Sequence, residues 1–166
     1  MKEITLANVS EDVINQLPKG ALLTVKSGDE LNTMTIGWAT VGRIWNKPIL
    51  TVLVRFSRHT HDIISKADSF TVSFSREGLL KNAFATCGTK SGRDIDKFQE
   101  CGLTPAYVDD IESPYVAEGD LHFICKIVYK NTLEPELLSK EIKDTWYKDN
   151  DYHCIYFGEI VKILSK

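Results

Sequence analysis

Strand-like segments succeed one another along this 166-residue chain with no long helical pattern between them. That succession constrains the fold more than any other feature. "GALLTVKSG" (20–28) reads as a strand closed by a Ser-Gly-Asp turn, and "LNTMTIGWATVG" (31–42) as a second, partly polar strand. "KPILTVLVRF" (47–56) is almost continuously apolar, the pattern of a strand buried on both faces. "SFTVSFS" (69–75) alternates Phe70, Val72 and Phe74 against Thr71 and Ser73, which predicts a half-buried strand. "GDLHFICKIVYKNTL" (119–133) puts Leu121, Phe123, Cys125, Ile127 and Tyr129 on one face and sends His122 toward solvent or a polar seam. "YHCIYFGEIVKIL" (152–164) is the last long strand, with Gly158 marking a bulge.

The helices between these strands are short. Thr60 is an N-cap for a turn or two carrying Ile63, Ile64 and Ala67, with Asp62 in its first turn. "GLLKNAFATCG" (78–88) ends at Gly88, a residue suited to a left-handed cap, and "RDIDKFQECG" (93–102) stops at Gly102. A parallel doubly wound sheet needs a long helix after each strand, so the chain is predicted mainly β: one domain over 1–166, an antiparallel barrel decorated by helices. Its length suffices for a proper core.

Composition narrows the function. A formal net charge of −3 argues against a nucleic-acid binder. No apolar run approaches the ~20 residues that span a bilayer, and "MKEITLANVSEDV" has no signal-peptide core, so a cytoplasmic protein without membrane partners is expected. Cys87, Cys101, Cys125 and Cys154 form no C-x-x-C pair, which disfavours a zinc ribbon, and reduced thiols are expected.

Four places carry candidate chemistry. Where the apolar strand surfaces, Arg55, Ser57, Arg58 and Thr60 form R-x-S-R-x-T at a helix start, a set that suits a phosphate. The alternative pairs the arginines with local acids such as Asp62. "NTMTIGWAT" (32–40) sends Thr33, Thr35 and Gly37 one way and Asn32, Met34 and Ile36 the other; it lines a flat heterocycle or is simply half-solvated. "TCGTKSGRD" (86–94) has the glycines, hydroxyls and cations to wrap an anion, or is a solvated connector; it is neither a P-loop nor a Rossmann turn. His59 and His61 make H-x-H, but no pattern supplies further ligands, so no metal is assigned. His153 opens the last strand after "WYKDND" and serves either as a proton donor or hydrogen bonder, or as an ordinary strand-end histidine.

Taken in order, "NTMTIGWATVGRIWNKP", "VLVRFSRHT", "FATCGTKSGRDIDKF" and "DYHCIYFGEI" make the chain resemble the flavin reductase-like, FMN-binding split-barrel family, in its flavoredoxin-type branch. The resemblance runs from about residue 20 to the C-terminus. It implies an antiparallel Greek-key split barrel and a homodimer with FMN at or near the subunit interface. It also implies that Arg55, Ser57, Arg58 and Thr60 hold the FMN phosphate and that Asn32, Thr33, Met34 and Thr35 run along the ring and ribityl chain. Cys87, Gly88, Lys90, Ser91 and Gly92 close over the other side, with Lys90 or a loop N–H at the ring's carbonyl edge. His153 lies on the nicotinamide side as the catalytic candidate. Electrons pass from NAD(P)H to a flavin, iron or protein acceptor; the alternative is a carrier charged by a redox partner. Met34, Gly37 and Trp38 are a departure, since dedicated reductases usually carry small residues there. Trp45 and Trp146 are expected in the core or an interface rather than on the ring.

Overall fold

The structure, a computed structural model, describes residues 1–8, 10–76 and 78–166. Its strands are β1 (Lys2–Glu3), β2 (Ala21–Ser27), β3 (Glu30–Ile36), β4 (Ala39–Ile44), β5 (Lys47–Arg55), β6 (Ser69–Phe74), β7 (Pro105–Val108), β8 (Ile111–Val116), β9 (Leu121–Thr132) and β10 (His153–Ser165). The α-helices are α1 (Ser10–Gln16), α2 (His59–Ile64), α3 (Lys81–Thr89), α4 (Lys97–Cys101) and α5 (Lys140–Trp146). The main sheet runs β3-β2-β6-β9-β10-β5-β4, with β1 also on β10, and every neighbouring pair is antiparallel.

The outermost strands of that path, β3 and β4, are consecutive in the chain and separated only by Gly37 and Trp38. A sheet whose two edges are tied by so short a link has to curl until they meet at one corner. No ladder joins β3 to β4 among the described residues, so the barrel is split along that seam. The single strand expected over 31–42 is therefore two. Inside the curl lie Leu23, Val25, Leu50, Val52, Val54, Phe70, Val72, Phe74, Phe123 and Tyr156, the alternate residues of five strands. The bulge expected at Gly158 is present as a register shift between Phe157 and Gly158. A Cβ there would come within 2.5 Å of Phe70 Cζ, so the bend needs a glycine.

β6 is buried on both faces, not one. The β7–β8 hairpin, which the pattern did not disclose, covers its outer face and bonds its hydroxyls. Thr71 Oγ1 donates to Pro114 O (2.7 Å), Ser113 Oγ donates to Ser69 O (2.8 Å), and the Val116 N–H donates to Ser73 Oγ (3.1 Å). Of the two places expected for His122, the structure shows a buried polar seam: it pairs with Ser73 in register and is 0% exposed. Its Nδ1 shares a 2.9 Å bond with Ser73 Oγ, and its ring packs on Tyr115.

Two helix ends also differ from expectation. Arg58, not Thr60, occupies the N-cap position of α2. α3 runs through Gly88 to Thr89, with Gly88 packed against Thr35. α4 does stop at Gly102, in left-handed conformation (φ 62°), and Asp96 caps its start through the N–H groups of Phe98 and Gln99. Trp45 and Trp146 are not core residues. They are 58% and 50% exposed, and Trp45 sits at the tip of the β4–β5 turn, where it and Asn46 both take positive φ.

Candidate functional site

Two adjoining cavities of about 190 Å³ each open at the split, sharing Met34, Thr35 and Arg58 as common wall. Together they make one groove with chemically different ends. One end is lined by Ile36, Gly37, Trp38, Leu53, Arg55 and His153. The other is lined by Asn32, Ser57, His59, Thr60, Cys87, Ser91, Gly92, Arg93 and Lys97, with Thr89 and Lys90 at its rim.

The second end is cationic. Arg58 enters it from the start of α2, and its guanidinium has no hydrogen bond or ion pair among the described residues. Lys97 is only 5% exposed, and its Nζ donates to the Cys87 carbonyl (2.9 Å), with no carboxylate at ion-pair distance among the described residues. Burial holds its pKa below the usual lysine range, and the Arg58 charge adds to that, while the Cys87 and Cys101 thiols oppose it. Two neighbouring cations with no acid between them leave unspent positive potential, the condition under which an anion binds well.

The floor of this end is closely fitted. Asn32 Nδ2 donates to Thr60 Oγ1 (2.9 Å), and the 91–93 backbone presses on the amide so tightly that a Cβ on Gly92 would stand 2.3 Å from Asn32 Oδ1. Arg93 locks the loop to α2 by bonding Asp62 Oδ2 (2.6 Å) and Ser57 O (3.1 Å). Ser91 Oγ accepts from the Arg93 N–H (3.1 Å). Lys90 turns outward to pair with Glu100 (3.0 Å), so the cation buried against the groove is Lys97 rather than Lys90. Gly88 faces Thr35, whose Oγ1 donates to Phe84 O (2.7 Å). Thr33 points away from the groove, bonding Leu23 O (3.2 Å) and Thr24 Oγ1 (3.0 Å).

At the other end aromatic rings take over. Trp146 meets Trp38 edge-on with centroids 5.0 Å apart, and the His153 ring lies 5.3 Å from Trp38. The segment bearing Trp146 is held down by Arg55, which donates to Trp146 O (2.8 Å) and Asp151 O (2.5 Å) and lies over the Tyr147 ring. Ser57 joins the clamp, its Oγ donating to Asp151 Oδ2 (2.6 Å) and its N–H to Oδ1 (3.1 Å). The local-acid alternative thus describes Arg55, between Asp149 (3.6 Å) and Asp151 (3.9 Å), and Ser57 on Asp151, while Asp62 serves Arg93. Only Arg58 of the R-x-S-R-x-T arginines is left without a protein partner among the described residues.

His153 is 7% exposed, and its Nδ1 shares a 2.8 Å bond with Tyr147 Oη. Burial, then the guanidinium of Arg55 and more weakly that of Arg58, push its pKa down to about 4, against the opposing Asp151 carboxylate. Around neutral pH it is therefore an uncharged imidazole that offers a hydrogen bond, not a cationic acid. Burial also raises the Tyr147 pKa, with Arg55 opposing, so its phenol stays protonated.

Sequence reasoning counted Arg93 among the cations of the 86–94 loop but did not assign Lys97, Tyr147 or Asp151 to the site. Lys97 and Tyr147 look like ordinary polar positions in the pattern, and the aspartates of "KDND" reveal a partner only once β10 is laid beside β5, His153 against Arg55.

The model of the flavin reductase like domain matches residues 17–165. The chain therefore belongs to the flavin reductase-like family. A flavoredoxin from Methanosarcina acetivorans is 26% identical and superposes with a TM-score of 0.68, over 89% of this chain and 68% of its own. An FMN-binding domain of a flavin reductase-like enzyme from Shewanella baltica OS155 has a TM-score of 0.71 at 16% identity, over 99% and 76%. A protein of Shewanella frigidimarina NCIMB 400, described by its split barrel domain, gives 0.70 at 19% identity, over 98% and 75%. The split barrel built above from strand order is the fold these structures share.

Proposed function

We propose that this protein is an FMN-dependent oxidoreductase that takes electrons from NAD(P)H and hands them to a flavin, iron or protein acceptor. One observation carries the reading. A groove with uncompensated cations at one end and aromatic rings at the other matches the polarity of a flavin mononucleotide, in a chain of the flavin reductase-like family.

The cofactor is FMN, and the residues present fit it. Arg58, the Ser91 and Gly92 backbone and Thr60 hold the phosphate, and Asn32, Met34, Thr35 and Cys87 flank the ribityl chain and ring. Lys97 adds a second positive charge, this one buried, to the phosphate end beside Arg58. Arg55 and Ser57 act at one remove, by fixing the 146–151 segment, while Thr33 and Gly88 act through backbone placement, and Lys90 tethers the loop to Glu100. When bound, the flavin supplies hydride acceptance and onward electron transfer. The chain's own work is to orient and exclude. Trp38 and Trp146 shield that end from water and give a nicotinamide an apolar wall. His153, kept neutral and oriented by Tyr147, offers a hydrogen bond at the same wall. A homodimer is the assembly proposed, and the outer-sheet cluster of exposed Trp45 and Tyr129 around half-buried Phe157 favours it.

The test is an absorbance spectrum of the purified protein, before and after anaerobic NADH and then NADPH. Flavin bands that bleach within seconds support the reading. Bands indifferent to both nucleotides favour a flavoredoxin-type carrier charged by a protein partner. A protein that neither carries FMN nor takes it up refutes both.

A further inference from the structure

Behind the groove wall, α3 and α4 bring two thiols together. Cys87 Sγ and Cys101 Sγ are 3.9 Å apart, within thiol hydrogen-bond distance and not joined as a disulfide. Both belong to a small apolar cluster with Leu22, Leu80, Leu103 and Val116, separate from the barrel core. Their surroundings are unequal. Cys87 is 2% exposed and lines the cationic end of the groove. Cys101 is partly exposed and opens on a surface depression of about 490 Å³ on the far side, beside Leu79, Gly102 and Lys166. A partly exposed thiol beside a buried one supplies the attacking and the resolving member that thiol–disulfide exchange requires.

We propose that Cys87 and Cys101 form a redox-active dithiol, which exchanges with low-molecular-weight disulfides to close an intramolecular disulfide across α3 and α4. The Cys101 thiolate attacks one sulfur of the disulfide RSSR, forming a mixed disulfide and releasing one RS⁻. Cys87 then gives up its proton to solvent and attacks the Cys101 sulfur, releasing the second RS⁻. In sum the two protein thiols lose two electrons and two protons, and RSSR becomes two RSH. Closing the bond takes an approach of about 2 Å, to the ~2.05 Å of a disulfide. Two short helices joined by a loop can make that adjustment more readily than two strands of the barrel.

Lys97 connects the pair to the groove. Its Nζ is bonded to the Cys87 carbonyl, and its charge favours the Cys87 thiolate, although burial pushes that thiol up to about 12. Cys101, the more exposed thiol, takes the mixed disulfide first, and Cys87 closes the internal bond. The closed ring would enclose the loop that carries Ser91, Gly92 and Arg93, so thiol state and groove wall are mechanically joined. This inference goes beyond the flavin reading and does not rest on it, because its readout is thiol chemistry.

The full chain is incubated in buffers of graded reduced-to-oxidised glutathione ratio. Free thiols are counted, and linkages are mapped by mass spectrometry with fragmentation that separates Cys101 from Cys125. The expected product has lost two hydrogens, links Cys87 to Cys101, and reverts with dithiothreitol, while Cys125 and Cys154 stay free. Cys87→Ser should stop at a glutathione adduct on Cys101, and Cys101→Ser should leave Cys87 unmodified. A wild-type protein that keeps its thiols at every ratio, holds only a stable adduct on Cys101, or links either cysteine to Cys125 or Cys154 would overturn the proposal.

Discussion

Replacing Arg58 by Ala is the perturbation that bears most directly on the cofactor reading, and Arg55→Ala is its control. The two guanidiniums lie three residues apart, yet the structure gives them different work. Arg58 is unpartnered among the described residues, so truncating it removes no bond seen to hold the fold, and unfolding free energy should change by no more than about 0.5 kcal/mol. Against a phosphate, a guanidinium makes charge-assisted bonds of ~1.5–3 kcal/mol each. Losing one weakens FMN binding roughly 10- to 150-fold at ~1.4 kcal/mol per decade. Arg58→Lys keeps the charge but not the fork and should fall between. Arg55→Ala strips the Trp146 and Asp151 carbonyls of a donor whose side chain is 18% exposed. That change should cost roughly 2–3 kcal/mol of stability, after allowance for solvent reaching the freed carbonyls, and alter the fluorescence of the Trp38–Trp146 pair. FMN binding is read by quenching of flavin fluorescence at fixed ionic strength, and stability by urea denaturation. An Arg58→Ala protein that binds FMN within twofold of wild type would show that the phosphate lies elsewhere.

Three further outcomes are expected. Gly92→Ala drives a Cβ into Asn32 Oδ1, displacing it from Thr60, and should weaken FMN binding by about 1–3 kcal/mol; unchanged affinity would mean the loop does not form that end of the groove. His153→Ala should slow NAD(P)H oxidation while sparing FMN affinity. Because the folded histidine titrates near 4, wild-type turnover should show no inflection from it between about pH 5.5 and 8, and a protonation step there would contradict its assigned state. His122, whose pKa burial lowers to about 4 from 6.5, is held neutral by the fold. A depressed histidine pKa means that the unfolded chain takes up the proton first. Its contribution, roughly 3 kcal/mol, is complete above about pH 6.5 and is lost as pH falls toward 4. Equal unfolding free energies at pH 7.5 and 4.5 would refute this.

Local pattern carried a long way here. Apolar runs and alternation located β2, β5, β6, β9 and β10, since a strand's period is written in the residues that form it. The absence of long helices between them set the antiparallel class. Four separated segments pointed to the groove, and Asn32, Met34, Arg58, Thr60, Cys87, Ser91 and Gly92 do converge on it. The misplacements share a cause. Thr71 and Ser73 look solvent-facing until the β7–β8 hairpin buries them and bonds their hydroxyls, and His122, at solvent or a polar seam in the pattern, is buried against Ser73 and Tyr115. Lys90 and Lys97 look alike in sequence, and helix packing alone turns one outward to Glu100 and the other inward.

The sequence by itself determined a mainly antiparallel chain and a cation- and hydroxyl-rich stretch where its most apolar strand ends, because both depend on neighbours a few residues away. Tertiary structure decided how those groups are spent. Arg55 meets the 146–151 segment only because β5 and β10 pair in register, more than 90 residues apart in the chain. Cys87 meets Cys101, and Arg58 meets no acid among the described residues, for the same reason: the partner of a charged or polar side chain is set by which elements the core draws together, and nothing in the local spacing encodes it.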